Sequence, residues 1–231
     1  MKRRLVAGLI GAVLVAASLA QAAEPKGSLS APDALAKLVK GNANFVAATL
    51  KHPDQTEARR TKLAAGQNPF AVILCCSDSR VPPEVVFDQG LGDLFVVRVA
   101  GNVADGIGIA SIEYAAEHLG THLVVVMGHS RCGAVTAAVK GDALPGHLLT
   151  LMEALEPAVA ATQGHVGDPV TNAVWSNVMQ TSARLRGCGP ILAELVEKGK
   201  LTIVGANYDL DTGVVEFYEQ PAAATEAAAI Q

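Results

Sequence analysis

The chain alternates short, uninterrupted apolar runs with longer segments in which apolar residues recur at helical spacing. Apolar runs of four to eight residues between polar boundaries are typical of strands that are buried on both faces. The runs predict strands at 70–75, 94–99, 122–127 and 201–206, with a last strand at 214–218 after the turn at 211–213. The helical spacing predicts helices at 32–48, 56–65 and 107–119. It also predicts a short helix that begins at 82, a helix that begins at about 132, and two or three more helices within 146–199. This order predicts an α/β fold, in which a parallel β-sheet core with one antiparallel edge strand is flanked by helices and preceded by an N-terminal helical arm.

The first residues have the pattern of a secretory signal peptide. Three cations at Lys2, Arg3 and Arg4 precede an apolar run at 5–19 and a small-x-small cleavage pattern that ends at Ala22. An uncleaved anchor is the alternative, but 15 apolar residues fall short of the roughly 20 that a spanning helix needs. We therefore expect export to the periplasm by the Sec or the twin-arginine route, and no membrane association after cleavage. The predicted organisation is a signal peptide (1–22), a linker (23–31), one domain (32–220) and a disordered tail (221–231).

Charge argues against one class of partner. Cleavage after residue 22 removes three cations and no acids, so the net charge changes from −4 to −7. A mildly acidic domain does not suit binding to nucleic acid.

Two short strings carry the candidate chemistry. Cys76 begins Cys-Ser-Asp-Ser-Arg directly after the first strand, and His129 and Cys132 frame His-Ser-Arg-Cys after the third. Ligands bind at the carboxyl edge of open parallel sheets, so both strings are expected at one edge. Two thiolates and an imidazole are ligands that zinc prefers, and three protein ligands leave a tetrahedral ion one open position. Cys75 and Cys188 lack such a context, and we expect them to be packing residues.

These strings resemble the β-class carbonic anhydrases over residues 32–218. The resemblance also includes 92–98, 112–115, 128–133 and 205–213, in the same order and at similar spacing. It implies one Zn²⁺ per chain, held by Cys76, His129 and Cys132, with water in the fourth position. The implied reaction is reversible hydration of CO2 to bicarbonate and a proton by attack of zinc-bound hydroxide. It also implies a homodimer or tetramer with sites at the subunit interface.

Asp78 and Arg80 have two interpretations. As a catalytic residue, Asp78 accepts a hydrogen bond from the hydroxide while Arg80 holds its carboxylate. As a fourth zinc ligand, Asp78 closes the site at lower pH. The closing members of the family carry a tryptophan three residues before the first cysteine ligand, where this chain has Ile73. The sequence therefore favours the open, plant-like branch. Because two thiolates cancel the charge of the ion, we expect activity to rise into the alkaline range.

Five further residues receive roles from the resemblance. Gln67 and Gly133 correspond to substrate-binding positions, and Phe95 and Tyr114 to an apolar pocket that often belongs to the adjacent subunit. Ordinary core packing is the alternative for Phe95 and Tyr114. His118 corresponds to a proton shuttle, and the alternative is an exposed histidine at a helix end.

One residue departs from the pattern of the family, and two alternative functions stay open. Val99 stands where the family usually has asparagine, which removes hydrogen-bonding capacity near the site. An enzyme of the same fold could instead hydrolyse a sulfur analogue such as carbonyl sulfide or carbon disulfide. A non-catalytic zinc-binding module is the rival from another class, against which the intact Asp78–Arg80 pair argues.

Overall fold

The computed structural model describes residues 29–141 and 144–218. The predicted signal peptide, the linker up to residue 28 and the predicted tail lie outside these residues. The helices are α1 (Ala31–Val46), α2 (Glu57–Leu63), α3 (Pro83–Val86), α4 (Gly106–Glu117), α5 (Gly133–Lys140), α6 (Leu148–Ala160), α7 (Pro169–Arg186) and α8 (Ile191–Glu197), with a 3-10 turn at Ala100–Asn102. The strands are β1 (Ala71–Cys75), β2 (Leu94–Arg98), β3 (Leu123–His129), β4 (Thr202–Tyr208) and β5 (Val215–Tyr218).

The five strands form one sheet in the order β2-β1-β3-β4-β5. Every pairing is parallel except that of β4 with β5, which is antiparallel. The predicted parallel sheet with one antiparallel edge strand and flanking helices is confirmed. All residues of β1 and β3 are buried, as their continuous apolar runs predicted.

Two of the strands are longer than their apolar runs. Gly128 and His129 continue the β3 ladder opposite Asn207 and Tyr208, beyond the predicted end at residue 127. Apolar character marks burial, whereas the ladder depends on backbone pairing, which a glycine and a histidine also support. His129 is therefore the last residue of β3, held by its pairing with β4.

The side chains of β1 alternate between two cores, one on each face of the sheet. Ala71, Ile73 and Cys75 pack on the face covered by α1 and α3. Val72 and Leu74 pack on the opposite face, against α4, α7 and α8. Cys75 is thus a buried core residue, and Cys188 packs at the margin of the second core, as predicted.

The predicted N-terminal arm is α1, which packs on the sheet of its own chain. Ala34 and Leu38 are fully buried there. Asn42 adds three bonds: its Nδ2 donates to Val86 O (3.2 Å) and Gly213 O (2.9 Å), and its Oδ1 accepts from Val215 N (2.8 Å). A buried amide with all these partners fixes α1 against both α3 and the last strand.

Across the described residues, we find no helix with the length and apolar character required for crossing a bilayer.

Candidate metal centre

The site lies where the direction of sheet growth reverses. After β1 the chain adds β2 on one side, and then returns to place β3 on the other side of β1. The carboxyl ends of β1 and β3 diverge into different connections, which is the position at which open α/β sheets bind ligands. Cys76 follows β1, His129 ends β3, and Cys132 immediately precedes α5.

Three potential metal ligands meet at this point. The ligand atoms of Cys76, His129 and Cys132 all lie within 4.8 Å of one another, and the three residues are buried. The two Sγ atoms are 3.9 Å apart. A tetrahedral zinc ion with Zn–S bonds of 2.3 Å places two sulfurs roughly 3.8 Å apart, so the spacing fits such an ion.

The ionisation of the two thiols also favours a bound cation. The hydrogen bond from the Cys132 thiol holds the pKa of Cys76 well below its ordinary value. The same bond, together with burial, raises the pKa of Cys132. The pair alone therefore carries one negative charge, and a second thiolate requires a cation to offset it.

His129 presents one nitrogen to the sulfurs. Its Nδ1 lies 3.0 Å from Ser130 O, so the ring donates there and leaves Nε2 with a free lone pair. Nε2 is buried and has no hydrogen-bond partner among the described residues. Ser130 is itself held by β4 and the turn after it, because its N donates to Tyr208 O (2.9 Å) and its Oγ accepts from Leu210 N (2.9 Å). An orphaned imidazole nitrogen facing two sulfurs is the arrangement that a zinc ion satisfies.

Asp78 lies beside these ligands and is held by Arg80. Arg80 Nε donates to Oδ1 (2.9 Å) and Nη2 donates to Oδ2 (2.7 Å), a bidentate pair to which the Arg80 backbone N adds a bond of 3.0 Å. These bonds from Arg80 hold the pKa of Asp78 well below its usual range. Oδ2 lies 3.8 Å from Nε2 of His129. A carboxylate whose pKa is held low thus borders the ligand cluster.

The structure adds contacts to the site that the motifs did not reveal. Arg98, at the end of β2, donates from Nε to Cys76 O (3.1 Å) and from Nη2 to Asp78 O (2.5 Å). Gly101 N donates to Cys76 Sγ (3.3 Å). Val99, at the unexpected position, packs with its side chain beside the cysteine ligands. No local sequence signal predicts a backbone donor, so only the turn geometry could identify Gly101.

The predicted substrate-binding residues divide into two groups. Gly133 is the first residue of α5, and the space around its Cα is open. Phe95 pairs with Val72, four residues before Cys76, which places it roughly 13 Å from that ligand along the strand. Gln67 precedes β1 altogether, so the length of that strand, roughly 16 Å, separates it from Cys76.

Tyr114 and His118 accompany Phe95 rather than the ligands. The ring centroids of Phe95 and Tyr114 are 6.4 Å apart, and those of Tyr114 and His118 are 5.3 Å apart. Tyr114 is 48% exposed and His118 lies at the exposed end of α4. One chain therefore does not bring these residues to its own ligand cluster.

Comparisons with known proteins agree with this arrangement. The family model described as "Carbonic anhydrase" matches residues 71–215. Carbonic anhydrase 2 of Mycobacterium tuberculosis is 43% identical over 180 residues, which cover 76% of this chain and 87% of that protein. The solved structure of the β-carbonic anhydrase CcaA superposes with a TM-score of 0.64 at 29% identity, covering 80% of this chain and 95% of that one. The chain belongs to the β-class carbonic anhydrase family.

A second solved structure of the family has a similar degree of likeness. One of two tetrameric β-carbonic anhydrases of Sordaria macrospora superposes with a TM-score of 0.65 at 25% identity, covering 80% of this chain and 96% of that one. Enzymes of the β class use zinc, and Cys76, His129 and Cys132 are the residues of this carbonic anhydrase that could hold it.

The two neighbouring cysteines provide a test of the ligand assignment. We expect Cys132→Ala to lose zinc because two ligands remain, and Cys75→Ala to keep about one zinc per chain because its sulfur lies in the core on the other side of the sheet. Metal analysis of the purified variants after dialysis measures both. Zinc retained by Cys132→Ala, or lost by a folded Cys75→Ala, would contradict the assignment.

Proposed function

We propose that this protein catalyses the zinc-dependent, reversible hydration of CO2 to bicarbonate and a proton, with an open site, in the periplasm. The observation that carries the proposal is the buried three-ligand cluster with the Asp78–Arg80 pair beside it, in a chain of this family. A non-catalytic zinc module has no use for an ionised carboxylate held next to its ligands.

Zinc, when bound, supplies the Lewis acid that makes hydroxide available as a nucleophile at moderate pH. Asp78, whose pKa the bonds from Arg80 hold low, would accept a hydrogen bond from the O–H group of that nucleophile and so orient it. Arg80 fixes the carboxylate by its two parallel bonds. The same two bonds support the open site, because a carboxylate held by Arg80 is occupied and must be released before it can bind a metal.

CO2 carries no net charge or dipole, so an apolar pocket suits it. Phe95 and Tyr114 form an aromatic pair that one chain leaves partly exposed and away from its own ligands. A second copy of the chain that places its pair over the ligands would provide this pocket, with Gln67 as an amide contact for bicarbonate. His118 follows Tyr114 by one helical turn and is suited to carry away the proton.

The need for a second copy supports a homodimer as the minimal functional unit, or a tetramer built from dimers. β2 is an edge strand with half-buried side chains, and Ile107 and Tyr114 of the adjacent α4 are exposed. An exposed apolar surface beside a strand edge is typical of an interface between subunits.

The basic start, the apolar run and the cleavage pattern of residues 1–22 support the proposed localisation in the periplasm. An acidic mature chain is consistent with a small-molecule substrate and no nucleic-acid partner.

Replacing the carboxylate tests the mechanism. We expect Asp78→Asn to keep zinc and to lower kcat for CO2 hydration about 100-fold, because an amide does not reproduce a carboxylate held by Arg80. Stopped-flow hydration assays with zinc quantified on the same sample measure this. Asp211→Asn is the matched control, because it breaks the exposed bidentate pair with Arg131 and should change kcat by less than about twofold. Undiminished activity in zinc-loaded Asp78→Asn would remove Asp78 from the mechanism.

Mixed oligomers test whether the pocket comes from a second copy. We combine a chain carrying Cys132→Ala with a chain carrying both Gln67→Ala and Tyr114→Ala, each inactive alone. If the sites are shared, random pairing restores about a quarter of the wild-type activity, because half the dimers have one intact site of two. If the pocket residues act within their own chain, the mixture stays inactive. Refolding the two chains together and measuring CO2 hydration distinguishes the two cases.

Cell fractionation tests export. The full chain expressed in a Gram-negative bacterium should yield a periplasmic form that begins at Ala23, as mass spectrometry would show. Leu14→Arg interrupts the apolar run and should leave the precursor uncleaved in the cytoplasm. Replacing Arg3 and Arg4 by lysine should block export only if the twin-arginine route is used. Cytoplasmic accumulation of the uncleaved wild-type chain would refute the proposed location.

A further inference from the structure

The backbone turn after β2 touches one of the metal ligands. Gly101, in the turn Ala100–Asn102, donates its N–H to Cys76 Sγ at 3.3 Å. A hydrogen bond on a thiolate draws electron density from the sulfur and orients its lone pairs, and such outer contacts tune a metal site. A residue that holds Gly101 in place therefore affects the donor strength of a metal ligand.

A side chain from a distant helix holds that turn. Asn177, in the middle of α7, donates from Nδ2 to Gly101 O at 2.7 Å. Asn177 is only 4% exposed, so this bond is shielded from water. The carbonyl of Gly101 is thus held by Asn177 while its N–H meets Cys76.

We infer that Asn177 is a positioning residue for the metal site, which acts through Gly101 to keep a hydrogen bond on Cys76 Sγ. The inference rests on the metal site of the proposed function, not on the reaction carried out there. Asn177 is 76 residues from Gly101 in sequence. The motifs that contain the metal ligands include neither residue.

The turn has a restricted conformation, and Asn177 bonds its central carbonyl. Gly101 has φ +68°, and a Cβ there would lie 3.2 Å from the methyl carbons of Leu155, so a side chain is both strained and crowded. Val99 offers no polar side chain, and Asn102 Nδ2 has no hydrogen-bond partner among the described residues. Backbone bonding closes the turn from Asn102 N to Val99 O (2.9 Å). The side-chain anchor on the central carbonyl comes from Asn177.

The test uses Co²⁺ in place of zinc, because thiolate-to-cobalt charge-transfer absorption reports on the donor strength of the sulfur directly. We expect Asn177→Leu, which has similar volume but no donor, to shift this absorption to lower energy, because a thiolate that loses its hydrogen bond is a stronger donor. Release of zinc from the same variant to a chelator should become about tenfold faster, because the sulfur also loses the contact that orients its lone pairs toward the ion. Asn177→Ala is measured in parallel, in case the leucine branch is not accommodated.

Ser182→Ala is the matched control. Ser182 is fully buried on the same helix and donates to Val178 O at 2.7 Å, so its removal also deletes a buried donor on α7. We expect its cobalt spectrum to match the wild type, even if its melting temperature falls as far as those of the Asn177 variants.

Each outcome has a distinct meaning. Wild-type protein without a charge-transfer band would contradict the metal site and hence the proposed function. A wild-type band that is unchanged in folded Asn177 variants would overturn only the positioning role. Loss of the fold in both Asn177 variants, with Ser182→Ala intact, would make Asn177 a folding residue and also overturn the inference.

Discussion

The parallel pairing of β1 with β3 is the constraint on which the rest of the site depends. The two strands are distant in sequence, yet Cys75 lies opposite Met127 in their ladder. The residues that follow, Cys76 and His129, consequently emerge at the same edge. Because the chain leaves β1 and β3 toward opposite edges of the sheet, their connections diverge, and the ligands occupy the space where they part.

Because the two cysteine sulfurs are buried as well as close together, their negative charge needs a cation. Two sulfurs 3.9 Å apart can share one proton, but a second thiolate in the same buried space needs a positive ion. The backbone around the ligands is held from several elements: Ser130 by β4, and the carbonyls of Cys76 and Asp78 by Arg98 of β2. Hydrogen bonds of the fold itself therefore position the ligands of this site.

The same geometry separates ligands from the pocket. The metal ligands lie at the carboxyl edge, whereas Gln67 precedes β1 and Phe95 lies near the start of β2. Within one chain the length of a strand keeps these groups apart. If a second copy supplies the pocket, assembly and activity are coupled, and the exposed edge of β2 with its aromatic neighbours has a function beyond joining subunits.

The sequence determined the strands, the sheet type and the ligand set, because each is encoded locally. Uninterrupted apolar runs identify buried strands, and thiolates and imidazole in short strings after those strands identify a soft-metal site. The strings suggested that Arg80 holds Asp78, but they could not fix the geometry of that pair or show that His129 continues a ladder, since both depend on orientation. Contacts and distances between residues that are remote in sequence depended on the tertiary structure alone. Asn177 meets Gly101 only because α7 packs on the sheet against β3 and β4, and Phe95 is distant from its own ligands only because β1 and β2 pair in one register. Short motifs of neighbouring residues predict which chemical groups the site contains. The distances between residues that are remote in sequence depend on the packing of the whole fold.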